Sequence, residues 1–357
     1  MERVAVAATR TGEPMAAGGN DAGAQFRRVV GLFGLIWLVN AAIQFLSWVR
    51  PPGHGLPFTA ARAAQLPLTG AAAVRSPGAV AAARVIHAFA KPIPTAPSWL
   101  QPTLHAILSA VQRAGPRAVA AGMVVVALLL GLSLLTRIGL AAACWLGLAY
   151  SAFCWTTLNA LGYPYAGGQT DPGVFVAYAI GFVFVLGVSP LLSGRQNAEA
   201  ATPNRFWTAG RVLFGLLWAF DAVLKWQPAF LLHFMAQITP AADGQPAWIA
   251  AYIGLVAAVV RWIGPVVVAV AVALIETVLA ISLLTRWGER LFVPLGLLYS
   301  LGVWATAEGL GGPYTAAGTG VRGNVLGNVL IYAVIYLFLL VPQLTRWIRP
   351  VRAAVAA

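Results

Sequence analysis

Charged side chains are scarce in this 357-residue sequence: Asp, Glu, Lys and Arg make up 9% of it, against 60% hydrophobic residues. Ordinary soluble domains carry roughly 25% charged residues. This deficit excludes an ordinary soluble globular protein and indicates an integral membrane protein. Acidic residues are the scarcest charged class, 10 against 23 Lys and Arg. In a membrane protein such a basic excess marks topology and lipid head-group contacts, so we expect membrane lipid and no nucleic acid as a partner.

Cysteine and histidine are also rare, which limits the cofactors that the chain can bind. Cys144 and Cys154 lie in one predicted helix with their backbones ~15 Å apart, too far for a disulfide, and we expect both to be apolar packing residues. The four histidines lie outside the predicted membrane spans, and the sequence contains no CxxC, metal-ligand spacing or phosphate-binding glycine loop. We therefore expect no metal site and no covalently bound cofactor.

Long apolar windows are abundant and predict an all-α integral membrane fold with eight transmembrane helices. Each window is close to the ~20 residues that a helix needs to cross ~30 Å of hydrocarbon. Basic residues concentrate in the two tails and in the connections that contain Arg137, Arg195 and Arg286. The positive-inside rule therefore places both termini in the cytoplasm of a multi-pass protein of the inner cell membrane. The predicted spans are 29–48, 117–135, 139–159, 174–194, 208–228, 265–285, 291–309 and 325–344.

The two halves of the chain repeat one another. LSLLTR at 132–137 recurs as ISLLTR at 281–286, an offset of 149, and FGLIWLVNAAIQF of the first span matches FGLLWAFDAVLKW of the fifth at an offset of 181. We interpret this as two parallel four-helix repeats related by an axis along the membrane normal. The predicted division is a cytoplasmic tail at 1–28, a first repeat at 29–195 with a long outer loop at 49–116, a cytoplasmic linker at 196–207, a second repeat at 208–345, and a tail at 346–357.

A segment that begins at Trp and ends at Gly-Pro precedes the second span of each repeat. These segments start at Trp99 and Trp248, and we predict outer-face helices that lie in the membrane interface. The alternative for the second segment is a ninth span over 246–264, which would place Arg261 in lipid.

Ionisable residues inside the predicted spans are the main functional signal. Asp221 and Lys225 are four residues apart, on one helical face, and Glu276 lies near the same membrane depth. Such groups cost several kcal/mol at bilayer depth and are functional-site candidates. One lysine between two carboxylates neutralises only one of them, which suggests that the other carboxyl group carries a proton. The alternative is a network that only specifies helix packing.

Aligning the halves suggests that this charge set is confined to the second repeat. Asp221, Lys225 and Glu276 correspond to Asn40, Gln44 and Ala127, and Glu308 corresponds to Asn159. We therefore expect Asp221, Lys225 and Glu276 to be the catalytic residues, with the first repeat as partner or scaffold. The candidate substrate-binding residues around them and in the glycine-rich outer loop are Glu308, Tyr314, Arg322, Trp218 and Trp304. The alternative for the loop aromatics is an interfacial belt.

These features resemble the DoxX-like superfamily. The residues that carry the resemblance are the span RVLFGLLWAFDAVLKW from Arg211, the second-span Glu276 followed by LLTR, and the Gly-Pro-Tyr or Thr-Asp-type loop before the last span. The second half is similar to the DoxD-like membrane subunit of thiosulfate:quinone oxidoreductase, and the first half resembles a degenerate copy of it. This chain departs from the family in fusing two units.

The resemblance implies a membrane oxidoreductase subunit that passes electrons from a small, thiosulfate-like donor to membrane quinone, together with a second subunit. Quinone is then a co-substrate, and Asp221, Lys225 and Glu276 match the charged positions of the family. Two alternatives remain open from the residues alone. One is a proton-coupled transporter of a small solute that uses the same carboxylates, and the other is a non-catalytic membrane scaffold.

Overall fold

The computed structural model describes residues 17–49, 77–162, 170–193, 204–243, 245–311 and 326–356, and within these ranges the chain is α-helical apart from short 3₁₀ turns and connections. The helices are α1 (Ala17–Val49), α2 (Pro77–Ala90), α3 (Gln101–Ala114), α4 (Pro116–Thr136), α5 (Leu140–Leu158), α6 (Val174–Leu192), α7 (Arg205–Lys225), α8 (Pro228–Leu232), α9 (Met235–Ile238), α10 (Ala247–Ile263), α11 (Pro265–Thr285), α12 (Glu289–Thr306) and α13 (Val329–Ala356).

Six of the described helices are long and apolar enough to cross a membrane, which confirms the multi-pass membrane class. They are Ala22–Leu46 within α1, Pro116–Thr136, Leu140–Leu158, Val174–Leu192, Arg205–Lys225 and Pro265–Thr285. Their outward faces carry large apolar side chains, such as Leu216 and Val223 on α7, which are 51% and 64% exposed. Exposure of such faces to water is unfavourable, whereas their contact with lipid is not. The apolar part of α13, Val329–Thr345, is shorter, and α12 begins with Glu289 and Arg290.

Helix ends differ from the predicted spans at both ends of the chain. α1 begins at Ala17, whereas the predicted first span begins at 29, and α13 continues to Ala356 beyond the predicted end at 344. Hydropathy marks only the part of a helix that lipid can cover, and polar residues extend the same helix beyond it. The predicted outer loop 49–116 also contains α2, which the apolar windows did not indicate.

Backbone geometry recurs at the 149-residue offset. α4 and α11 begin and end at positions related by this offset, and each follows a glycine in a conformation open to few other residues, Gly115 at φ 87° and Gly264 at φ 108°. Each ends at an arginine in the left-handed conformation, Arg137 and Arg286, both at φ 65°. The backbone N–H of each arginine bonds to the carbonyl of a serine four residues earlier and closes the helix.

The packing of the two halves is reciprocal. α1 packs on α4 as α7 packs on α11, and α5 packs on α6 as α12 packs on α13. Between the halves, α6 contacts α7 while α13 contacts α1, and α6 and α13 meet. One end of the bundle, the basic end, holds the turns at Arg137 and Arg286. The opposite end, the loop end, holds the connecting residues 159–162, 170–173, 226–243, 245–246, 307–311 and 326–328, and the candidate site lies there.

Glycines allow the last two helices of each half to touch. A Cβ added at Gly296 of α12 would overlap the ring of Tyr336 on α13, and one added at Gly147 of α5 would overlap the ring of Phe182 on α6. Small residues at such crossings permit the close approach by which helices associate in lipid, where the hydrophobic effect contributes little.

We predict that Gly296→Ala lowers the thermal midpoint of the detergent-solubilised protein, because the added methyl must displace a buried tyrosine ring at a cost of about 1–3 kcal/mol. Gly302→Ala on the same helix is the matched control, since nothing lies within 4 Å of the added Cβ. Thermal unfolding followed by tryptophan fluorescence checks this. Equal midpoints for the two variants would contradict the described contact between α12 and α13.

Candidate functional site in the second half

The helix that carries Asp221 and Lys225 is fixed at its start. Asn204 caps the start of α7, its side chain accepting a hydrogen bond from the Trp207 N–H at 3.0 Å. Arg211 on the second turn donates to the carbonyl of Leu283 near the end of α11 and thereby satisfies a helix C-terminus. α7 ends at Lys225, which follows Asp221 by one helical turn and lies on the same inward face.

Lys225 and Glu276 form a buried ion pair. The Lys225 Nζ lies 2.8 Å from Glu276 Oε2 and also donates to the Thr170 carbonyl at 2.9 Å. The other carboxylate oxygen of Glu276, Oε1, accepts a hydrogen bond from the Tyr299 hydroxyl at 2.7 Å. Because Lys225 and Glu276 are only 9% and 2% exposed, each charge depends on these partners.

Asp221 is buried beside the pair, but only one of its two carboxyl oxygens has a hydrogen-bond partner among the described residues. Its Oδ2 accepts a hydrogen bond from the Tyr332 hydroxyl at 2.9 Å, and the residue is 2% exposed. Its Oδ1 has no hydrogen-bond partner among the described residues. Because a buried carboxylate oxygen without a partner is costly, its presence indicates a group that holds a proton or binds a ligand.

Asp221 and the ion pair line one cavity of about 180 Å³. Its wall is formed by the ends of α7 and α12, the middle of α11, the start of α13, the short helices α8 and α9, and residues 170–171 of the first half. The polar lining residues are Thr170, Asp171, Asp221, Lys225, Gln237, Glu276, Thr306 and Glu308; the aromatic ones are Trp218, Phe230, Phe234, Tyr299 and Tyr332.

The first half holds an uncharged version of the same arrangement. The Asn40 Nδ2 donates to the Tyr178 hydroxyl at 2.6 Å, where Asp221 and Tyr332 pair in the second half. The neighbouring indole packs on the tyrosine ring in both halves, with ring centroids 4.6 Å apart in the first and 5.1 Å apart for Trp218 and Tyr332. The scaffold therefore tolerates an amide in place of the carboxylate.

The structure places the remaining predicted site residues in different roles. Glu308 lines the cavity, but its carboxylate also accepts the backbone N–H groups of Asn328 and Val329 at 2.8 and 3.1 Å and so caps α13. Trp304 is not among the lining residues, and its indole N–H donates to the Leu326 carbonyl at 2.7 Å. Tyr314 and Arg322 lie outside the described residues.

Asp221, Lys225, Glu276 and Glu308 belong to the second half, but the cavity that they line also includes residues of the first half. Asp171 of the first half lines it, and the Thr170 carbonyl contacts Lys225. The sequence comparison missed these residues because it aligned positions within spans, whereas they lie in a connection. Tyr299 and Tyr332 were also missed, although each stands on an inward face at a repeat-equivalent position.

The arrangement combines proton-exchanging groups with one cation. Four carboxyl groups and one ammonium line the cavity, and two tyrosine hydroxyls donate to the buried carboxylates. Among the described residues, no group of three His, Cys, Asp or Glu side chains is arranged to hold a metal ion. Chemically, this site can donate or accept protons and can hydrogen-bond a small ligand, and its excess of carboxyl groups disfavours anions.

We predict a strong energetic coupling between Lys225 and Glu276. Lys225→Gln and Glu276→Ala should each destabilise the protein by about 3–5 kcal/mol, since each leaves one buried charge unpaired. The double variant reproduces Gln44 and Ala127 of the first half and should lose less than either single variant. Thermal midpoints of the four proteins in detergent form the double-mutant cycle. Additive losses would show that the pair does not interact.

No protein-family model, curated protein or solved structure matches the chain. The resemblance to the DoxX-like superfamily therefore rests on the residues of this chain, and the role of the site rests on its geometry.

Proposed function

We propose that this protein is a membrane oxidoreductase subunit that passes electrons from a small donor to membrane quinone, and that the cavity receives the quinone head group. The observation that carries the proposal is the half-satisfied Asp221 carboxyl next to the Lys225–Glu276 pair, in an aromatic cavity inside a membrane protein. The resemblance to the DoxD-like subunit points to the same chemistry.

The size of the cavity suits one substituted six-membered ring. An apolar cavity of about 150 Å³ is large enough for benzene, and this one measures about 180 Å³. Trp218 and Tyr332 give the cavity aromatic walls, while Asp221 and Lys225 provide an acid and a positive charge.

The reduction of a quinone takes up two electrons and two protons and yields a quinol. In the proposed site, Asp221 acts as the general acid and is reprotonated from water between the two proton transfers, and Lys225 stabilises negative charge that develops on the ring oxygens. Tyr299 and Tyr332 orient the two carboxyl groups through their hydrogen bonds. The electrons come from the donor, directly or through a second subunit.

Electrostatics separates the site of the donor from that of the quinone. A thiosulfate-like donor is an anion, and the cavity presents four carboxyl groups against one lysine, which is already paired with Glu276. Like charges a few ångströms apart repel strongly in a low-dielectric site. We therefore place the donor at the loop-end surface or on a partner subunit.

We predict that Asp221→Asn abolishes most quinone reduction without loss of the fold. The first half shows that an amide fits this position, since Asn40 bonds to Tyr178, whereas an amide cannot deliver a proton. Loss of general acid catalysis costs roughly 10²–10⁴-fold in rate. The measurement is reduction of a water-insoluble quinone analogue by thiosulfate in native membranes, with Asn40→Ala, at the equivalent position of the first half, as a comparison variant.

Three outcomes separate the alternatives. Unchanged quinone reduction by Asp221→Asn would exclude the carboxyl from the reaction. If the wild-type protein reduces no quinone but takes up a solute in a proton-dependent way that Asp221→Asn abolishes, the protein is a transporter. If neither activity is found and a partner oxidoreductase loses activity without this chain, the protein is a scaffold.

We further propose that the chain crosses the inner cell membrane eight times as two parallel four-helix repeats, with α12 and α13 as the last two spans. The recurrent caps of α4 and α11 and the reciprocal helix packing support this interpretation. The basic end then faces the cytoplasm, since Arg137 and Arg286 lie there. The cavity lies toward the outer leaflet.

Cysteine labelling tests this topology. Both native cysteines are buried and can be replaced by alanine to give a background for single cysteines. We predict that the Ile138→Cys and Trp287→Cys variants, both at the basic end, react with a membrane-impermeant maleimide only in inverted vesicles. The Ser98→Cys variant should react only in right-side-out vesicles. The reverse pattern would invert the topology, and same-side labelling of all three would contradict the span count.

A further inference from the structure

A turn of the first half forms part of the cavity in the second half. It consists of Thr170, Asp171, Pro172 and Gly173 and leads into α6. Thr170 and Asp171 both line the cavity. The hydropathy and the alignment of the spans that identified Asp221, Lys225 and Glu276 do not include this turn.

Three hydrogen bonds fix the turn. Asp171 Oδ1 accepts the backbone N–H of Gly173 at 2.7 Å, and the Trp155 indole N–H donates to the Pro172 carbonyl at 2.9 Å. The third bond crosses between the halves, from Asn328 Nδ2 at the start of α13 to Asp171 Oδ1 at 3.2 Å. Gly173 has a φ of 92°, which its lack of a side chain permits. The Asp171 oxygen is therefore shared by the turn itself and by the second half.

The turn directs one backbone carbonyl at the buried lysine. Thr170 O lies 2.9 Å from Lys225 Nζ, whose ion-pair partner Glu276 lies at 2.8 Å. The ammonium also lies 5.7 Å from the centroid of the Phe230 ring. A buried ammonium has three N–H donors that need acceptors. Loss of one acceptor therefore destabilises the charged Lys225 side chain in its buried position.

We propose that Asp171 is a positioning residue for this site: it fixes the turn that holds the Thr170 carbonyl on Lys225, and the first half thereby completes the site of the second half. Asp171 acts through Thr170 and Lys225. The consequence for quinone reduction rests on the proposed function, whereas the effect on Lys225 does not.

The sequence provides a direct probe of Lys225. Lys91 and Lys225 are the two lysines of the chain, so Lys91→Arg leaves Lys225 as its sole ε-amine. The rate at which a membrane-permeant N-hydroxysuccinimide ester acylates this amine, measured by peptide mass spectrometry across a pH series, reports both its accessibility and its protonation.

In the Lys91→Arg background we expect Asp171→Ala to raise the acylation rate of Lys225 by roughly tenfold or more, the factor that corresponds to the loss of one hydrogen bond to a charged group. Asp171→Asn should remain close to the parent, because its amide oxygen can still accept the Gly173 N–H. Asp243→Ala is the matched control, since Asp243 is an exposed acid at the same end and does not line the cavity.

An acylation rate for Asp171→Ala equal to that of the parent, with an unchanged thermal midpoint, would overturn the proposal. If Asp171→Ala does not fold, Asn328→Ala decides instead, because it removes the bond between the halves and leaves the Asp171 side chain on the Gly173 N–H: a faster acylation supports the proposal and an unchanged rate overturns it. Where the parent reduces quinone, Asp171→Ala should lower its activity and Asp171→Asn should retain it. A parent without quinone reduction would overturn the proposed function and leave the acylation result standing.

Discussion

The burial of one lysine among helices governs the rest of the candidate site. An ammonium inside a bilayer protein costs several kcal/mol unless acceptors surround it, and Lys225 receives one from each half, the Glu276 carboxylate and the Thr170 carbonyl. Glu276 in turn is oriented by Tyr299, and the neighbouring Asp221 by Tyr332. Each of these partners stands on a different element, so α7, α11, α12, α13 and the first-half turn must all be in place before the charges are satisfied.

Features common to the two halves explain how such a site can exist without endangering the fold. Both halves share the helix caps, the glycine crossings and the aromatic packing, as in the contacts of Trp155 and Trp304 with the carbonyls that precede α6 and α13. These features involve no ion pair. In the first half, an amide and a tyrosine fill the space that Asp221 and Tyr332 occupy in the second. The charged groups are thus an addition to a scaffold that packs without them, and their cost is offset locally.

The two halves are nevertheless not independent. The start of α13 is tied to the first half through Asn328 and Asp171, while Glu308 caps the same helix start from its own half. The cavity lies beneath this junction. A ligand that enters it therefore contacts groups whose positions depend on both halves, which gives a physical reason to retain the first half in the chain.

The sequence by itself determined the membrane class, since a chain with so few charged residues and such long apolar windows cannot expose its surface to water. It also determined the helix limits around Gly115, Arg137, Gly264 and Arg286, because local backbone preferences act over a few residues. It indicated Asp221, Lys225 and Glu276, because ionisable groups in apolar runs need partners. Only the tertiary structure decided which partners these are: Tyr299, Tyr332 and the Thr170 carbonyl reach the site from distant segments. Hydropathy and repeat spacing describe each helix along its own axis and carry no information on which connection closes over which helix end, so the position of Asp171 at the site became visible only in the folded chain.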